Sequence, residues 1–108
     1  MLKTIICVLT AATGAFSLLL PYSTVSFTGL QPIGGRGISE IRAVLGGLFI
    51  ALGIAPLILK GDTFKMLGWE YLGIALVRAV SIFFDNSSVH SNWISLAVEI
   101  IFGIILVL

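Results

Sequence analysis

Four apolar stretches occupy almost all of a 108-residue chain, and Arg or Glu interrupts three of them. Residues 4–20, 38–59, 64–84 and 91–108 are each long enough, or nearly so, to cross a hydrocarbon core of roughly 30 Å at about 1.5 Å per residue. The pattern predicts an all-α fold: a polytopic integral membrane four-helix bundle, with residues 1–108 forming a single transmembrane domain and residues 21–37 forming its one long extramembrane loop. Ionisable groups inside a bilayer are costly unless they pair or line a polar cavity, so Arg42, Arg78 and Glu99 are the candidates for a buried ionic site.

Composition supports the membrane class and little else. Hydrophobic residues make up 58% of the chain and charged residues 10%, whereas soluble domains carry about a quarter charged residues. Mean hydropathy is +1.17. Four spans consume most of the length and leave no room for a separate soluble domain. A net charge of +1 lacks the basic footprint of a nucleic-acid binder, so no nucleic-acid partner is expected. The single cysteine, Cys7, cannot form an intramolecular disulfide and reads as a small buried hydrophobe. Lys3 and the run 4–20 share the outline of a signal peptide, but Pro21, Tyr22 and Ser23 close the run without a small-x-small cleavage site. The segment is expected to stay as a helix.

Several local signals place the helices. Pro21 opens the loop, which contains Pro32 and the run Gly34-Gly35-Arg36-Gly37, and the spacing of Tyr22, Val25 and Phe27 predicts a short extended or interfacial piece. The glycine run lacks the Gly-Lys-Ser/Thr ending of a phosphate loop. Ser39 is the expected cap of the second helix, and Pro56 is expected to bend or end its last turn. Ala43, Gly47, Ala51 and Ala55 form a small-residue stripe, with Gly46 and Gly53 on a second thin side; such stripes let helices approach closely in lipid. Short turns at 60–63 and 85–88 join the second, third and fourth helices. Lys3, Lys60 and Lys65 favour an N-in, C-in orientation that leaves Arg36 outside.

The charged residues converge on two helix faces. Glu70, Ile74 and Arg78 are four apart on the third helix, with Asp85 beyond, while Asn92, Ser95, Glu99 and Gly103 share a side of the fourth. Counting from the outer ends, Arg42 lies roughly 5 Å deep, Arg78 roughly 8 Å and Glu99 roughly 12 Å. This predicts an outer-half cluster of Arg42, Arg78 and Glu99, with Glu40 and Asp85 near its mouth. Glu70 and Thr10 form a second polar level nearer the cytoplasmic side, where Glu70 either is protonated or reaches Lys65 or water. Thr10, Thr13 and Ser17 read as back-bonded or interhelical hydroxyls. His90 is a lone imidazole without companion ligands, so no metal site is expected.

Glu40-Ile41-Arg42-Ala43-Val44-Leu45-Gly46-Gly47, Gly73-Ile74-Ala75-Leu76-Val77-Arg78 with Ser81 and Asp85, and Glu99 resemble an uncharacterised bacterial family of small four-helix membrane proteins. That family is itself distantly similar to the DoxX-like membrane proteins. The resemblance covers residues 36–108 and implies the fold and a place in the bacterial inner membrane, but no activity or cofactor. Two functions are favoured by the residues, and a third, an enzyme using a carboxylate and two arginines for proton transfer on a lipid, is not selected by any of them. One is a bundle that binds or moves a lipid or a small anionic or carbonyl ligand at Glu40, Arg42, Arg78, Asp85 and Glu99. The other is an accessory subunit whose ion pairs fix helix packing and whose small-residue faces meet a membrane-protein partner or a second copy. Signatures of a metalloprotease, nucleophile elbow or phosphate loop are absent, and no catalytic residue is assigned.

Overall fold

Long apolar segments rich in Leu, Ile and Ala, punctuated by Pro, Gly and short polar turns, wind into helices through most of the chain. The computed structural model describes residues 1–108 and contains no strand. Helices α1 (Leu2–Leu19), α2 (Gly34–Leu59), α3 (Asp62–Phe84) and α4 (His90–Val107) contain 18, 26, 23 and 18 residues, and all four are long and apolar enough to cross a membrane. Large hydrophobic side chains lie exposed along each of them. The chain divides into two compact units, Lys3–Leu59 and Lys60–Leu108.

In the first unit α1 and α2 run antiparallel, because Cys7 and Ala11 meet Gly53 while Gly14 and Leu18 meet Gly46. A methyl group at Gly14 would lie 2.6 Å from the Gly46 carbonyl oxygen, and one at Gly53 would strike the Cys7 carbonyl. The absent side chains therefore set the interhelical distance. Ala43, Gly47 and Ala51 lie exposed, so only the Gly46–Gly53 side of α2 is occupied by α1. Thr10 and Thr13 donate their hydroxyls to the Ile6 and Leu9 carbonyls, the back-bonding by which Ser and Thr satisfy themselves within a helix.

The segment between α1 and α2 is more helical than its alternation suggests. Pro21 starts a 3-10 turn, Pro21–Thr24, that runs into one α-turn, Val25–Thr28, rather than an extended piece. Thr24 and Thr28 bond back along it, donating to the Pro21 and Thr24 carbonyls, and Phe27 packs on Phe16 with ring centroids 5.5 Å apart. Helix α2 begins at Gly34 instead of residue 38, with Ile33 in place of Ser39 at its cap. The helix starts through glycines of low helix propensity; Gly34 and Gly35 stand in open space, and only at Gly37 would a side chain press, to 3.0 Å, on the nearby Pro32 backbone. Residues Ile41–Leu48 take the wider π winding around the Gly46-Gly47 pair, and the helix passes through Pro56 to Leu59 without stopping there.

The second unit is an antiparallel hairpin of α3 and α4. The buried residues of α4 are Leu96, Glu99, Gly103 and Leu106, and those of α3 include Gly68, Ala75 and Ile82. Their spacings of three, four and seven residues define a seam of coiled-coil type. At one end Gly68 faces Gly103, where an added methyl would come within 2.9 Å of the Gly103 carbonyl oxygen. At the other end Ala75, Ile82 and Leu96 form an apolar cluster with Ala79 against it. Tyr71 stacks edge-on against Phe102, and Phe83 against Trp93.

Candidate functional site

Arg78 and Glu99 interrupt this seam as a polar layer. The guanidinium donates from Nε to Glu99 Oε1 at 2.8 Å and from Nη2 to Oε2 at 2.7 Å, a fork-to-fork pair with both carboxylate oxygens engaged. Nη1 donates to Asn92 Oδ1 at 2.8 Å. The side chain of Glu99 is 11% exposed and that of Arg78 31%. The carboxylate is thus the inner member and the guanidinium the outer one.

The third partner is positioned by the turn between the helices. Asn86 takes a left-handed backbone (φ 53°), as Asn does more readily than most residues. The Ser87 N–H then reaches back to the Ile82 carbonyl at 3.0 Å, the long hydrogen bond of a Schellman helix end. Ser87 in turn receives the Asn92 side-chain amide on its carbonyl and hydroxyl, at 3.0 and 3.2 Å. That fixes the amide with its oxygen toward Arg78. Ser81 donates to Asp85 Oδ2 at 2.5 Å, and Trp93 Nε1 donates to Ser88 Oγ at 2.9 Å.

A cleft of about 520 Å³ opens beside this layer, lined by Gly73, Ile74, Val77, Arg78, Ser81 and Asn92. Its size lies within the range of small-molecule sites. Gly73 keeps it open, since nothing stands within 4 Å of where its side chain would be.

The residues singled out from sequence therefore fall into separate groups. Arg78 and Glu99 are joined, and Asp85 is linked to the cleft wall through Ser81. Arg42 is exposed on the π-wound part of α2 and makes no hydrogen bond or ion pair. Glu40 pairs with Arg36, one helical turn earlier, at 3.0 Å on an exposed face. Lys65 pairs with Asp62 and not with Glu70, whose Oε2 is buried without a hydrogen-bond partner. Thr10 donates its hydroxyl to the Ile6 carbonyl of its own helix. Ser87 was not legible as part of the site; the only signal was the turn-forming run Asp85-Asn86-Ser87-Ser88. Comparison with family models, curated proteins and solved structures finds no match to this chain.

Proposed function

We propose that this is an integral membrane protein of the bacterial inner membrane, its four helices spanning the bilayer N-in and C-in. Its role in this reading is to bind or move a lipid or small ligand at the Arg78–Glu99–Asn92 layer. The observation that carries the proposal is a guanidinium immobilised by three hydrogen bonds at the edge of a largely apolar cleft, whose other polar wall residues, Ser81 and Asn92, are themselves hydrogen-bonded. Few well-placed polar groups in an apolar concavity are the usual composition of a ligand site. Pre-orientation by Glu99 and Asn92 means that little side-chain freedom remains to be lost on binding. The exposed apolar helices and the lysines at 3, 60 and 65 support the membrane location and orientation.

A second reading, as an accessory subunit, rests on the exposed small-residue face of Ala43, Gly47 and Ala51. Such a face suits close approach by another membrane helix. Native mass spectrometry from lipid nanodiscs separates the two. The ligand reading predicts a defined lipid or small molecule on the wild type that is lost from folded Arg78→Gln and Gly73→Leu. A bare wild type that emerges only with a protein partner supports the accessory role instead.

A further inference from the structure

We infer that the cleft selects an uncharged lipid through an ester carbonyl, and disfavours anionic lipids of the same shape; this rests on the ligand-site reading above. Arg78 looks at first like an anion receptor, but its charge is already spent. Glu99 neutralises it through both carboxylate oxygens, so the layer carries no net charge.

What remains is hydrogen-bonding capacity of one kind. A guanidinium has five N–H groups, of which three are engaged, leaving two donors on Nη1 and Nη2. The Asn92 amide donates to Ser87 and the Ser81 hydroxyl to Asp85, so neither supplies a further donor without breaking its bond. The surplus donors call for an acceptor. An anion placed about 4 Å from the guanidinium and about 7 Å from the Glu99 carboxylate loses more than half of its attraction to repulsion. It must also shed its hydration to enter a cleft whose remaining wall is Gly73, Ile74 and Val77 with Ser81 and Asn92, the last two already donating to Asp85 and Ser87. A carbonyl brings two lone pairs, no net charge and a small desolvation penalty. Acyl chains continue from it onto exposed apolar surface such as Ile74 and Val77. A diacylglycerol-type neutral lipid has this chemistry.

Trp93, one residue from Asn92, reports on the site. The full chain carrying Trp69→Phe is placed in neutral detergent micelles and titrated with brominated diacylglycerol, or with brominated phosphatidic acid of identical chains. Saturable quenching of Trp93 is expected at about fivefold lower mole fraction for diacylglycerol, and Gly73→Leu should raise that mole fraction about tenfold. Glu99→Gln should invert the preference, because removing the carboxylate leaves Arg78 with net positive charge. Arg78→Gln should lose both ligands. Equal or tighter binding of phosphatidic acid to the wild type, or no inversion in folded Glu99→Gln, overturns the neutral-lipid assignment while leaving a ligand site in place. Quenching unchanged by both Gly73→Leu and Arg78→Gln overturns the site itself.

Discussion

Breaking the Arg78–Glu99 pair should destabilise the hairpin by an amount that depends on which partner is removed. Arg78→Gln strips the inner carboxylate of both its donors, whereas Glu99→Gln leaves the outer guanidinium with Asn92 and partial access to its surroundings. Removing one member of a buried pair costs about 3–5 kcal/mol, and interhelical hydrogen bonds in membranes are usually nearer 1 kcal/mol. With Glu99 11% and Arg78 31% exposed, we expect about 3 kcal/mol for Arg78→Gln and about 2 kcal/mol for Glu99→Gln. The double variant has no unpaired charge, and its two amides can bond each other. It should cost about 3 kcal/mol rather than the summed 5, giving a coupling of about 2 kcal/mol. The assay is reversible unfolding of all four proteins in mixed neutral and anionic micelles, followed by far-UV circular dichroism. Additivity, with coupling below about 0.5 kcal/mol, would refute the claim that these side chains form one structural unit.

Three substitutions probe the rest of the account by the same assay. Gly53→Val should cost at least about 2 kcal/mol and separate α1 from α2, because its side chain would strike the Cys7 carbonyl and Ala11. Gly73→Ala should stabilise by about 0.5–1 kcal/mol, since it improves helix propensity at a position with open space around it. Arg42→Gln should change stability by less than about 0.5 kcal/mol, in keeping with an exposed side chain that makes no hydrogen bond or ion pair; a loss of about 2 kcal/mol would show that Arg42 has a partner.

Hydropathy was enough to locate four long helices, because the apolar runs are bounded by Pro21, Lys60-Gly61-Asp62 and Asp85-Asn86. The seam of α4 is legible in part: of the expected side Asn92, Ser95, Glu99 and Gly103, Glu99 and Gly103 are buried, while Leu96 and Leu106 complete the seam without a polar mark. What a linear reading lacks is the direction each face takes. Depth along a helix, roughly 5 Å for Arg42 and roughly 8 Å for Arg78, carries no information on facing. Ser87 becomes a site residue only because Asn86 turns left-handed and folds the Ser87 carbonyl over the end of α3. The π winding at Ile41–Leu48 is a change of hydrogen-bond partner without a compositional mark, and a helix start at Gly34 runs against the low helix propensity of Gly34, Gly35 and Gly37.

The central claim, that Arg78 and Glu99 are paired within a lipid-embedded hairpin, is most directly tested by solid-state NMR of the protein in bilayers. Arginine side chains carry nitrogen-15 and glutamates carbon-13, in an Arg36→Lys background that removes the guanidinium contact to Glu40. The account predicts a strong dipolar coupling between the Arg78 guanidinium nitrogens and Glu99 Cδ, with magnetisation reaching both from lipid acyl-chain protons. Absence of that coupling, or transfer from water alone, would contradict it.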